Sequence, residues 1–162
     1  MGFEAGAINV AKRDLLVWDG SKSAEENASR RLPQLARAYF RAGRGLFAAE
    51  PTPESLHKFR LASKRFRYTL ELFQPCYGPG LEERLAMLRN IQNLLGEIND
   101  CATTRKLVGQ NQPAISKFLE RRMALKRRAL RTYWFHVFAA AGHEARWTSY
   151  LARFVRKPRQ AS

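Results

Sequence analysis

The segment 54–73, ESLHKFRLASKRFRYTLELF, places His57, Arg60, Lys64 and Arg67 at successive intervals of three, four and three residues. On an α-helix with His57 set at zero and about 100° per residue, Arg60, Lys64 and Arg67 fall at about 300°, 340° and 280°. Four cation-capable side chains thus share one stripe about three turns long, joined by Glu71 at about 320°. Phe59, Phe66, Leu70 and Phe73 fall at about 160–220°, the face that a core would take. Like charges at i,i+3 and i,i+4 cost roughly a few tenths of a kcal/mol per pair, so a merely solvated face would more cheaply alternate signs. The chemistry that suits such a row is the binding of an anion, with guanidinium forks and an ammonium meeting phosphate-type oxygens. The plainer alternative is a charged, solvated helix face.

A second stripe lies further along. AISKFLERRMALKRRALRTYWFHVF, residues 114–138, holds seven basic residues between Lys117 and Arg131 against one acidic residue, Glu120. Lys117, Arg121, Arg128 and Arg131 share an arc of about 80°, opposite an apolar side of Leu119, Met123, Leu130, Trp134 and Val137. On neighbouring helices the two stripes would wall a groove that concentrates the field; the alternative is a generic soluble basic helix. Between them, Leu81, Leu85, Leu88, Leu95 and Ala102 form a bundle-like seam that Gln92 and Asn99 interrupt. A buried amide without a partner costs about 1–3 kcal/mol. These two therefore either join a hydrogen-bond network between helices or orient the basic residues of the stripe at 57–67. Gly96 in mid-helix costs about 1 kcal/mol against alanine and points to the close approach of another backbone.

Positioning these stripes takes long helices side by side. Ser23 can cap a helix running to about residue 49, which Pro33 should kink or restart. EPTP at 50–53 breaks the chain, and Thr52 as N-cap with Pro53 at the first position opens a second helix. That helix stops near QPCYGPG, residues 74–80. A third helix fits about 81–108, a fourth about 114–140 and a shorter fifth about 143–155. No segment alternates like a strand. The expected fold is all-α, an antiparallel four-helix bundle with an extra short C-terminal helix. Its organisation is an N-terminal arm at 1–22, anchored by Leu15, Leu16, Val17 and Trp18, a single helical bundle at 23–157 and a basic tail at 158–162.

Lys plus Arg total 29 and Asp plus Glu 14 in 162 residues, a formal charge of +15. Such an excess opposes compaction and is compensated by a polyanion: nucleic acid, an anionic membrane surface or inorganic polyphosphate. Hydrophobic content of 45% with 11% aromatics indicates a folded domain rather than a basic tail. Cys76 and Cys101 make no disulfide framework and fit a reducing compartment. No apolar run approaches the ~20 residues of a membrane span, and the N-terminus lacks the layout of a secretory signal. A soluble cytoplasmic protein is expected.

LHKFRLASKRFRYTLELFQPCYG followed by LRNIQNLLGEINDCATTRKLV resembles the CHAD family, the conserved histidine α-helical domain. The first family pattern matches His57, Arg60, Lys64, Arg65, Arg67, Tyr68 and LELF at 70–73. The second, Gln-x-x-Leu-Gly-x-x-Asn-Asp, matches Gln92, Leu95, Gly96, Asn99 and Asp100, with an additional leucine at Leu94. The resemblance covers roughly residues 50–140. It implies a helical bundle that binds inorganic polyphosphate, a function linked in some members to polyphosphate granules or polyphosphate enzymes. His57, Arg60, Lys64 and Arg67 would contact the anion, while Arg65, about 80° from His57, stands off the main stripe. The roles of Lys117, Arg121, Arg128 and Arg131 rest on charge alone. Full-length members carry two four-helix halves; this chain shows one, more like the second, and a homodimer would rebuild the symmetry.

The leading expectation is a non-catalytic polyphosphate-binding module in which His57 adds charge as pH falls. The alternative is non-specific nucleic-acid binding, which usually presents stacking aromatics. Most rings here point to the core by period, with Trp147 and Tyr150 as the exceptions. Catalysis fits poorly. A phosphotransfer histidine would want Lys and Gly where Arg60 and Leu61 stand, Glu71, Glu97 and Asp100 share no face for magnesium, and His57, His136 and His143 have no zinc spacing. No enzyme activity, cofactor or metal is expected.

Overall fold

Ser23 adopts an extended backbone and accepts the Glu26 amide, while the Glu26 carboxylate accepts the Ser23 amide. This capping box satisfies two amides that a helix start leaves open, and from it α1 runs Ala24–Phe47. The computed structural model describes residues 19–153; the anchor at 15–18 and the tail at 158–162 lie outside them. The expected restart at Pro33 does not occur, because α1 is continuous through it. Leu32, Ala36, Tyr39 and Phe40 around the proline are buried, and helix stability in proteins comes chiefly from such packing. Buried Asn27 ties down the incoming chain by accepting the Asp19 amide and donating to the carbonyls of Asp19, Lys22 and Ser23.

Thr52 caps α2, Pro53–Leu72, by accepting the Ser55 amide at 3.1 Å, with Pro53 at the first position where its missing N–H costs nothing. QPCYGPG is not wholly irregular: Gln74–Tyr77 forms the one-turn helix α3, stopped by Gly78 at φ 70°. Next come α4, Gly80–Val108, a 3-10 turn at Gly109–Asn111, and α5, Pro113–Tyr133. The helix expected to reach residue 140 instead widens into a π-helical turn, Trp134–Phe138, in which the Ala139 amide reaches the Trp134 carbonyl at 2.7 Å. The wider turn changes the register. Phe138 enters the core, and Val137, assigned to the apolar side by a 3.6-residue period, is 41% exposed. The last helix, α6, spans His143–Leu151 and so ends short of residue 155.

The fold is all-α. Helix α1 packs on α2 and α6, α2 on α4, and α4 on α5, with short turns setting consecutive long helices antiparallel. Tyr39 sits at the centre. It stacks on Phe59 at 5.1 Å and meets Phe66, Trp134 and Phe138. Its hydroxyl lies 2.7 Å from Ser63 Oγ, which in turn donates to the Phe59 carbonyl; burial pushes the Tyr39 hydroxyl far above its ordinary pKa. Close approach is required at Gly43 rather than at Gly96. A Cβ on Gly43 would lie 2.0 Å from Trp134 Cζ2, whereas one on Gly96 would meet nothing within 4 Å. Beyond this core, Cys101, Leu119 and Met123 hold the far ends of α4 and α5 together as a small second cluster.

Candidate functional site

The regular turn of α2 carries its cations on one face, away from the buried Phe59, Phe66 and Leu70. His57 is exposed, while Arg60, Lys64 and Arg67 are half-buried. Of these four, Arg67 alone meets a carboxylate among the described residues, with its Nη1 2.7 Å from Glu71 Oε1. Its guanidinium also lies 4.6 Å from the Tyr68 ring centroid. The Nε atoms of Arg60 and Arg67 are buried without a hydrogen-bond partner among the described residues. Arg65 is exposed and off this face.

The nearby acids are occupied elsewhere. Glu54 pairs with Lys58 at 2.6 Å, Glu120 with Arg105 at 3.3 Å, and Glu97 with Lys126. The hydrogen bond and the charge of Lys58 hold the Glu54 carboxyl below its ordinary pKa. Three of the carboxylates that might have neutralised the stripes therefore pair with cations outside them. His57, Arg60, Lys64, Lys117, Arg121, Arg128 and Arg131 form no ion pair among the described residues.

Lys117, Arg121, Arg128 and Arg131 on α5 are exposed, and the structure brings only part of that row to α2. Where the end of α1, the start of α2 and α5 meet, a cleft of about 320 Å³ is lined by Arg127, Arg128 and Arg131 on one side and by Phe47, Pro51 and Leu56 on the other. Arg131 is fixed there. Its Nη1 donates to the Phe47 carbonyl at 3.1 Å, and its guanidinium lies 5.2 Å from the Phe135 ring, a cation at the C-terminal end of α1 where the helix dipole favours one. Leu56 precedes Arg60 by one turn, so the cleft borders the start of the α2 stripe. Lys117 and Arg121 stand further along α5, at roughly 1.5 Å per residue from Arg128. Arg127 was missed by the sequence stripe because it falls about 40° outside the arc; its spacing of four from Arg131 was the available signal.

The two amides do not hold the basic row. Gln92 and Asn99 are half-buried, and among the described residues neither amide oxygen accepts a hydrogen bond from a basic side chain of α2; the Gln92 Nε2 is buried without a partner among the described residues. Asn90 makes the amide link between α4 and α5, donating to the Tyr133 hydroxyl at 3.3 Å. Trp147 and Tyr150 are not free platforms either. Trp147 is buried, and Tyr150 donates to the Tyr77 carbonyl at 3.0 Å with Arg84 3.7 Å from its ring. Burial of Arg84 lowers its pKa from the ordinary value. The exposed rings are instead Tyr68 on α2, Phe118 on α5 and Phe135 in the π-helical turn.

Against known families, residues 7–109 match the CHAD domain, more than half of the chain. The protein belongs to the CHAD domain family. No curated protein and no solved structure matches it. The match differs in extent from the stretch 50–140 over which the motifs suggested it, reaching back across α1 and stopping before α5. The CHAD stripe on α2 thus lies inside the matched segment, and Lys117, Arg121, Arg128 and Arg131 lie outside it. No helix among the described residues of this CHAD protein is long and apolar enough to cross a membrane.

Proposed function

We propose that this CHAD protein binds inorganic polyphosphate along the α2 stripe and across to the cations of α5, as a non-catalytic accessory module. The observation that carries the reading is that Arg60 and Lys64, half-buried on a matched CHAD helix, meet no carboxylate among the described residues, while Glu54, Glu97 and Glu120 pair with other cations. His57, Arg60, Lys64 and Arg67 form the first part of the path, and Arg128 and Arg131 continue it. Forked guanidiniums and a compact ammonium follow a repeating anion without reading any sequence in it. Affinity therefore falls with salt as counterions are released. The same reading places the protein in the cytoplasm at polyphosphate granules and allows a homodimer that lengthens the basic path, which light scattering with and without polyphosphate would detect or exclude.

Nucleic acid is the competing polyanion. Single-strand binders stack successive bases on rows of aromatic side chains, whereas the exposed rings here are one on α2, Tyr68, and two, Phe118 and Phe135, about 25 Å apart along α5 and its π-helical turn at roughly 1.5 Å per residue. A polymer without bases suits this surface better. Competition between long-chain polyphosphate and single-stranded DNA of matched charge tests the choice. At least tenfold preference for polyphosphate supports the proposal, and equal preference favours the nucleic-acid reading.

A further inference from the structure

We infer that the cleft between α1, α2 and α5 is a binding site for a small phosphorylated ligand with an organic body, of the nucleoside diphosphate class. The inference does not depend on the polymer reading. A volume of about 320 Å³ falls at the lower end of the roughly 300–1,000 Å³ of organic ligand sites. Pro51, backed by the buried Phe47 and Leu56, supplies a small apolar wall. An inorganic phosphate chain gains nothing from such a wall, whereas an organic body gains by covering it.

The opposite wall recognises the anion. Arg131 is already held by the Phe47 carbonyl and the Phe135 ring, so little freedom is lost when it binds. Arg127 lines the cleft and meets no carboxylate among the described residues, so its charge is available to an anionic ligand. Glu50 lines the same cleft and pairs with none of the three arginines. Its carboxylate repels a bare polyanion but accepts a hydrogen bond from an amino or hydroxyl group on an organic body. Three cations, one free acceptor and an apolar wall together describe a ligand with an anionic head and a polar-edged body.

The test is calorimetry on the full chain with adenosine diphosphate and inorganic pyrophosphate at one salt concentration and pH. The two share an anion and differ in the body. The inference expects adenosine diphosphate to bind at least tenfold tighter than pyrophosphate. It expects Arg127→Gln/Arg128→Gln, with unchanged helical circular dichroism, to weaken adenosine diphosphate at least tenfold. Glu50→Gln should narrow the gap between the two ligands. Lys64→Ala should leave adenosine diphosphate binding within twofold while weakening polyphosphate, which separates this site from the α2 part of the polymer path, with which it shares only Arg128 and Arg131. Pyrophosphate binding as tightly as adenosine diphosphate would overturn the inference and make the cleft a site for inorganic anions. Absence of adenosine diphosphate binding would overturn it as well.

Discussion

Replacing Gly43 by alanine should destabilise the protein, and the structure sets the size of the effect. The new Cβ would lie 2.0, 2.1 and 2.7 Å from three atoms of the Trp134 ring, where carbon atoms prefer about 3.5–4.0 Å. The ring or the helix must therefore move by about 1.5 Å. Trp134 is fully buried and has Tyr39, Phe40, Phe47, Phe59 and Phe138 within 6.0 Å of its ring, so the ring has no space into which to retreat. Overpacking of this kind costs typically ~1–3 kcal/mol, and a contact this short belongs at the upper end. Alanine's better helix propensity returns about 1 kcal/mol, leaving a net loss of about 2 kcal/mol. At ~2–4 °C per kcal/mol for a chain of this size, Tm should fall by about 4–8 °C. Gly96→Ala is the control, since its Cβ meets nothing within 4 Å, and it should raise Tm by about 2–4 °C. Thermal unfolding followed by circular dichroism reads both. Equal losses in the two variants would refute the reasoning, because they would mean that both glycines serve helix flexibility and that the Trp134 contact is not decisive.

Two further substitutions probe the site and the core. Glu71→Gln frees Arg67 from its 2.7 Å partner and should tighten polyphosphate binding several-fold by calorimetry, while unfolding free energy changes by less than about 0.5 kcal/mol, the scale of an i,i+4 pair. Unchanged affinity would place Arg67 off the polymer path. Ser63→Ala leaves the buried Tyr39 hydroxyl without its 2.7 Å partner and should lower stability by about 1–3 kcal/mol in denaturant unfolding; no loss would show that the hydroxyl finds another acceptor.

The helical architecture and the α2 row were readable from local rules. Ser23 with Glu26, and Thr52 with Pro53, are short-range signals, and the i,i+3,i+4 spacing of His57, Arg60, Lys64 and Arg67 needs only a regular helix. What escaped depends on contacts distant in sequence. The π turn at Trp134–Phe138 is inseparable from a crowded aromatic core that no period encodes. The choice between Gly43 and Gly96 needs the position of a ring about ninety residues further on. Trp147 stood out as a candidate platform because α6 is short, and only its packing on Phe40, Phe66 and Phe138 shows it to be core. Arg127 needed the end of α1 and the start of α2 to complete its cleft. The pairing of Glu97 with Lys126 and of Glu120 with Arg105, which takes two carboxylates away from the stripe cations of α5, is likewise a fact of how α4 lies on α5.

The most direct measurement is calorimetry of polyphosphate of defined length against the wild-type chain and Arg60→Ala/Lys64→Ala, repeated across a salt series. Neither residue meets a carboxylate among the described residues, so removing them should leave the fold intact, weaken binding at least tenfold and make the logarithmic salt slope shallower by roughly 0.7 per lost phosphate contact. Wild-type affinity and an unchanged slope in the double variant would contradict the account.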